Sequence, residues 1–176
     1  MNTPIRKIAF SAVVAALYAG LTVLLAPISF GVLQFRISEA LCVLPFFFPS
    51  SVWGLFVGCA IANMMSSFGP VDVIFGSAAT LLAAVCTMRI GKKSKGILGC
   101  VLACLPAVVS NGIIVGAMIT WMTAPAEGFW VGFAANGGQI ALEEMAVMYA
   151  VGLPLMLIGR KNGFFEYIKN KYWESR

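Results

Sequence analysis

The chain of 176 residues contains no histidine and only 11% charged residues, with seven carboxylates against twelve basic side chains. Without histidine there is no Ser/His/Asp triad, no His-ligated metal and no imidazole proton relay. A soluble domain carries about twice that charged fraction, because a polar surface must face water. A phosphate-cradling G-x-x-x-x-G-K-S/T loop is also missing: Gly91-Lys92-Lys93-Ser94 has the basic residues but not the upstream glycine. The chain therefore cannot power anything with ATP alone. Its five cysteines, Cys42, Cys59, Cys86, Cys100 and Cys104, lie in apolar stretches and form no C-x-x-C pair. They read as small packing residues rather than disulfide or metal ligands, and no cofactor is implied.

What is present is apolar: 60% of the residues are hydrophobic and the mean hydropathy is +0.92. This is the composition of an all-α integral membrane protein. At about 20 residues per transmembrane helix, the length holds about five to seven spans and no separate soluble domain. Apolar runs separated by Pro, Gly and charge predict six spans, at 8–25, 38–48, 52–66, 71–90, 96–122 and 129–158. They form a single membrane domain over 1–176 that ends in a short cytoplasmic tail at 159–176. The amino terminus starts basic and runs apolar like a signal peptide, but its near-spanning length and the lack of a convincing small-x-small cleavage site predict a retained first helix. The second and third spans are short and joined only by Pro49-Ser50, which predicts a tilted pair linked by a tight turn. The last two exceed what a bilayer needs, so they must tilt, bend or project.

Placing the amino terminus in the cytoplasm puts Arg6, Lys7, Arg89, Lys92, Lys93, Lys95, Arg160, Lys161, Lys169, Lys171 and Arg176 inside and leaves Arg36 outside. The positive-inside rule then predicts that both termini are cytoplasmic, with connections 27–37, 68–70 and 123–128 outside and Gly31 and Ala126 accessible there. Topology thus accounts for the basic excess, and no nucleic-acid role is read from it. Phe164, Phe165, Tyr167, Tyr172 and Trp173, set among the charges of the tail, predict a short interfacial helix.

Membrane-embedded polar groups fall at one depth. At 1.5 Å per helical residue, Glu144 lies roughly 22 Å above Gly159, Asn111 roughly 22 Å above Gly96 and Asn63 roughly 20 Å above Ser50. Glu39 opens the second span, and Asp72, Ser77 and Thr80 occupy the outer part of the fourth. Asn136, Gln139 and Glu143 share one face of the sixth. This pattern predicts a polar pocket opening outward; the alternative for the amides and hydroxyls is hydrogen bonding between helices. The carboxylates weigh towards a pocket, since one at the bilayer centre costs at least about 2.5 kcal/mol. Arg36 is placed to pair with Glu39, three residues on, whereas the spans offer no Lys or Arg to Glu143 and Glu144. Those two need an outside partner, a proton or water. In the first span Ser11, Ala15 and Ala19 form one small-residue stripe and Ala12, Ala16 and Gly20 another, suited either to internal packing or to docking against a separate membrane protein.

Three stretches carry a family resemblance: Gln34-Phe35-Arg36-Ile37-Ser38-Glu39-Ala40-Leu41 leading to Leu44-Pro45, Gly58-Cys59-Ala60-Ile61-Ala62-Asn63, and the run from Asp72-Val73-Ile74-Phe75-Gly76-Ser77 to Ala84. Pro106 with Asn111, and Glu144, Tyr149, Gly152, Leu153 and Pro154, extend it. The chain resembles the queuosine-precursor transporter (QueT) family, substrate-capture S components of energy-coupling factor transporters. The resemblance implies a six-helix S-component fold, an extracellular-side site capped by the loop between the first two helices, and no catalysis. It implies a transmembrane coupling subunit docked on the small residues Ala12, Ala15, Ala16 and Ala19 of the first helix, and two cytoplasmic ATPases. The implied substrate is a 7-deazaguanine such as queuine, preQ0 or preQ1.

Such a base offers N1–H and an exocyclic amine as paired donors with O6 as an acceptor beside them. A carboxylate accepts both donors, and an amide satisfies O6. Glu144 is the first choice for that carboxylate and Glu39 the second. Asn63, Asn111, Arg36, Asp72, Gln139 and Glu143 complete the candidate set, with Phe75 or Trp53 to enclose the ring. A protonated Glu144 that only bonds a neighbouring helix is the alternative. Rival functions are an S component for another vitamin-like solute and a stand-alone ion- or proton-coupled carrier using Glu143 and Glu144. Against the carrier, the sequence shows no inverted repeat.

Overall fold

The computed structural model describes residues 3–30, 34–94, 96–123 and 128–170. Gly31, Ala126, Lys95, Lys171, Tyr172, Trp173 and Arg176, which entered the topology expectations, lie outside the described residues. Every regular element among the described residues is helical. In chain order they are α1 (Thr3–Leu24), α2 (Ala26–Ser29), a 3-10 helix (Ile37–Phe46), α3 (Ser51–Asn63), α4 (Pro70–Lys93), α5 (Ile97–Ser110), α6 (Gly116–Thr123), α7 (Phe129–Val147), α8 (Leu153–Lys161) and α9 (Phe164–Lys169). A π-helical turn at Asn111–Val115 joins α5 to α6, and another at Met148–Gly152 joins α7 to α8. The second lies directly before Leu153-Pro154, where proline supplies no N–H to the preceding turn and widens it.

Among the described residues, four continuous stretches are long and apolar enough to cross a bilayer: Pro4–Leu24, Pro70–Lys93, Ile97–Thr123 and Phe129–Lys161. They correspond to the predicted first, fourth, fifth and sixth spans. The predicted second and third are a 10-residue 3-10 helix and the 13-residue α3. At about 2.0 Å per 3-10 residue and 1.5 Å per α residue, each is about 20 Å long against a hydrocarbon core of about 30 Å. The tight turn between them is closed by Ser51, whose hydroxyl donates to the Phe48 carbonyl at 2.7 Å while its N–H donates to the same oxygen at 2.9 Å.

Large apolar side chains cover the outside of the bundle: Ile8, Val13 and Leu17 on α1, Val57 and Ile61 on α3, Ile74 and Leu82 on α4, Leu98 and Leu102 on α5, Trp130 and Leu142 on α7. Water would not tolerate such a belt, and lipid does. The chain is a multi-pass membrane protein. Its interior is built from small residues, with Cys42, Cys59, Cys100 and Cys104 buried among Ala62, Ala83, Ala103 and Ala107, and all five cysteines are free thiols.

Two close helix contacts set the frame. A Cβ on Gly58 would stand 2.7 Å from the Ala15 carbonyl, and one on Gly54 would strike the Ser11 carbonyl, so α3 lies directly against α1. The Ser11–Ala15 stripe is therefore internal packing, which corrects Ala15 as a docking residue. Ala19 is half-buried, while Ala12 and Ala16 remain exposed. On the other side, a Cβ on Gly116 would meet Gly137 Cα at 2.5 Å and one on Gly137 would meet the Gly112 carbonyl at 2.8 Å, which brings the α5–α6 stretch onto α7.

Candidate functional site

Two polar clusters lie between these contacts. The first begins at Gly69-Pro70, where a glycine at φ 58 turns the chain and a proline at the first helical position starts α4. Asp72, in that first turn, is buried, and Arg36 Nη2 donates to its Oδ2 at 3.0 Å. The Arg36 guanidinium also lies 5.4 Å from the centroid of the Phe30 ring. Asn63, closing α3, donates from Nδ2 to the Asp72 carbonyl at 3.0 Å. A Cβ at Gly76 would come within 2.7 Å of Asp72 Oδ1 and overlap Asn63 Nδ2, so glycine there leaves these groups their space. Asn63 Oδ1, Asp72 Oδ1 and Arg36 Nε are buried without a hydrogen-bond partner.

The expected Arg36–Glu39 pair does not form. Arg36 sits before the helix with φ −85 and ψ 88, so the one-face relation of residues three apart does not apply to it. Glu39 turns inward instead. Its Oε1 accepts from the Tyr18 hydroxyl and from Thr80 Oγ1 at 3.1 Å, and its Oε2 accepts from Cys42 Sγ at 3.0 Å.

The second cluster lies where the α5–α6 stretch approaches α7. Asn111 Nδ2 donates to Glu144 Oε1 at 2.9 Å, and Glu144 Oε2 is buried with no partner. Successive helical residues point about 100° apart, so Glu143 faces elsewhere. Its Oε1 accepts from Gln139 Nε2 at 2.9 Å and its Oε2 from the Gln34 backbone N–H at 3.1 Å, which ties the segment leading to the 3-10 helix onto α7. The 3-10 helix that carries Glu39 packs against both α4 and α7, so the two clusters are neighbours. Beside Glu143 opens a cavity of about 550 Å³ lined by Phe30, Gln34, Ser67, Phe68, Ile119, Asn136, Gln139 and Ile140.

Some expectations are redirected. Ser77 bonds back to carbonyls of its own helix, Val73 and Ile74. Asn136 donates to Thr120 Oγ1 at 3.0 Å. Trp53 is 64% exposed on the outer face of α3 and packs its edge on Phe56. It stands ten residues before Asn63, about 15 Å along the helix axis, and cannot enclose a ring held there. Phe75 also faces outward, 42% exposed. Phe30 and Phe68 are the aromatics at the cavity. Tyr18 and Thr22 were not among the candidates; spaced i and i+4 on the buried side of α1, they bond Glu39 and, at 2.6 Å, Ser38. A polar pair at helical spacing in an otherwise apolar span was the available signal.

The family model described as the QueT transporter matches residues 8–161. The chain belongs to the QueT transporter family. A relative from Lactococcus lactis subsp. cremoris, named queuosine precursor transporter QueT, is 45% identical over 73 residues, which covers 40% of this chain and 43% of the relative. The aligned segment is thus less than half the length of either protein. No solved structure matches. Every residue of the two polar clusters falls inside the QueT match. In chemical terms this region offers buried acceptors and one guanidinium, and no three His, Cys, Asp or Glu side chains that could hold a metal ion gather among the described residues.

Proposed function

We propose that this chain is the substrate-capture membrane subunit of a transporter for queuosine precursors, binding a 7-deazaguanine in the polar region between the 3-10 helix, α4, α5 and α7. The observation that carries this reading is Glu144: a buried carboxylate with one oxygen held by Asn111 and the other unused. A buried acceptor without a partner costs about 1–3 kcal/mol, and a planar donor edge relieves it. Arg36 Nε, an unused donor, suits O6. Glu39 already accepts three bonds and acts as a brace for Tyr18 and Thr80. Asn63 and Asp72 line the same region, and Gln139 and Glu143 stand at the cavity.

In this reading the chain is one domain over 1–176 with both termini cytoplasmic and six spans. The 3-10 helix and α3 make the second and third crossings through locally thinned bilayer. Energy comes from two cytoplasmic ATPases through a transmembrane coupling subunit that docks on the exposed Ala12 and Ala16 of α1. The likeness to the Lactococcus lactis relative, with its printed substrate class, supports the ligand; the absent nucleotide loop supports the division of labour. Calorimetric titration of the purified chain with 7-deazaguanines and, in parallel, with unrelated vitamins tests it. Saturable binding of the 7-deazaguanines alone is the expected outcome; binding of a vitamin in their place would overturn the substrate assignment.

A further inference from the structure

We propose that the end of α8, capped by α9, holds one anionic phospholipid, with its phosphate in a polar cavity and an acyl chain in an adjoining apolar one. The chain builds this place by folding back on itself. α8 ends at Asn162, Gly163 takes the left-handed φ of 63 that glycine tolerates, and α9 turns over the end of α8. Phe165 is thereby buried against Gly159, where a Cβ would overlap its ring, and it stacks on Phe47 with ring centroids 4.2 Å apart. Gly159 and Phe165 line two cavities at once. One, of about 340 Å³, is completed by Phe46, Phe47, Gly91, Arg160, Glu166 and Lys169. The other, of about 650 Å³, is completed by Leu155, Ile158, Asn162, Phe164 and Tyr167. Both stand apart from the polar region, since Gly159 lies roughly 22 Å along the helix from Glu144.

The two cavities differ as the two ends of a lipid do. In the first, Arg160 and Lys169 outweigh Glu166, so the lining is net positive. Arg160 is anchored there through Nη1, which donates to Cys100 Sγ on α5 at 3.3 Å, and that bond uses one of the five N–H groups of the guanidinium. Such a fork binds phosphate through paired, charge-assisted N–H groups. α4 reaches this cavity at Gly91, and its last turn adds Lys92 and Lys93 to the local field. In the second cavity Leu155, Ile158, Phe164 and Tyr167 are all exposed. They continue the lipid-facing belt: Leu155 and Ile158 belong to the apolar stretch Phe129–Lys161, which ends at Arg160 and Lys161. The apolar cavity therefore lies at the edge of the hydrocarbon and the basic one at headgroup level, the arrangement in which basic pockets take anionic lipid heads. A phospholipid of the adjacent leaflet presents acyl chains and a phosphate in that order, and it reaches both cavities from the bilayer.

Native mass spectrometry of the purified full chain, released from micelles holding equimolar dioleoylphosphatidylglycerol and dioleoylphosphatidylcholine, tests this. The two lipids share their chains and differ in headgroup charge. Phosphatidylglycerol should be retained about fivefold or more over phosphatidylcholine, the factor that corresponds to about 1 kcal/mol. Arg160→Gln with Lys169→Gln should abolish that preference. Arg6→Gln with Lys7→Gln removes the same charge from the same end of the bundle, where Phe10 of α1 packs on Phe48 and Phe48 on Phe165, and should leave the preference in place. Equal retention of the two lipids by the wild-type chain overturns the site, as does retention of neither. Equal loss in both double variants also overturns it, because the preference then belongs to the overall field of the basic end. So does a preference unchanged in Arg160→Gln with Lys169→Gln. If that variant does not fold, Lys169→Gln alone, at an exposed position, should weaken the preference, and no change would count against the site. Glycerol 3-phosphate, which carries the charge without the chains, should not displace the bound lipid; displacement would remove the apolar cavity from the proposal.

Discussion

Arg36 Nη2 donates to Asp72 Oδ2 at 3.0 Å across 36 residues of sequence, tying the segment that enters the 3-10 helix to the first turn of α4. Both side chains are buried, so the pair joins the two segments at the cost of desolvating two charges. Breaking such a pair by removing one partner leaves an uncompensated charge and costs about 3–5 kcal/mol, whereas replacing both with apolar groups is often neutral. Arg36→Met should therefore lower the thermal unfolding midpoint of the purified protein sharply, and Arg36→Met with Asp72→Leu should recover most of the loss. A double variant no more stable than the single one would show that the pair is not the source of the effect.

Glu144 stands in the other cluster, bonded to Asn111 rather than to that pair. Glu144→Gln keeps the size of the side chain but presents an amide donor to the donor edge of the base, and should weaken 7-deazaguanine binding by about 1.5–3 kcal/mol, the range for a hydrogen bond to a charged group. Calorimetry on folded wild type and variant checks this. Equal affinity would take Glu144 out of the site.

The two small-residue stripes of α1 should behave differently. Ala15 faces Gly58 of α3, so Ala15→Leu overpacks the bundle and should cost at least about 1–3 kcal/mol of stability. Ala16 is exposed, so Ala16→Leu should leave the isolated chain folded and able to bind ligand while uptake in cells collapses. Parallel loss of binding and uptake in Ala16→Leu would show that this stripe also serves the chain's own packing.

Topology is open to a direct experiment at two exposed positions. Ser67 lies between α3 and α4, and Lys92 lies near the other end of α4. In a background lacking the five native cysteines, Ser67→Cys should react with a membrane-impermeant thiol reagent in intact cells and Lys92→Cys only after lysis. The reverse pattern would invert the orientation drawn from the positive charges.

The low charge and the spacing of apolar runs by themselves determined that this is a helical membrane protein, because a bilayer permits few ways to satisfy a backbone. Helical rise alone predicted one level for Asn63, Asn111 and Glu144, since depth in a span follows from residue count; the structure joins Asn111 to Glu144 and Asn63 to the Asp72 carbonyl. Partners were a different matter. That Arg36 meets Asp72 rather than Glu39, that Glu39 is consumed by Tyr18, and that Glu143 and Glu144 face different neighbours depend on rotation about helix axes and on backbone dihedrals at a helix start. Those are set by which glycines let helices approach, Gly58 against Ala15 and Gly137 against Gly112 and Gly116. The choice between the two alanine stripes was likewise decided by tertiary contact: their spacing is identical, and only the position of α3 determines which one is covered.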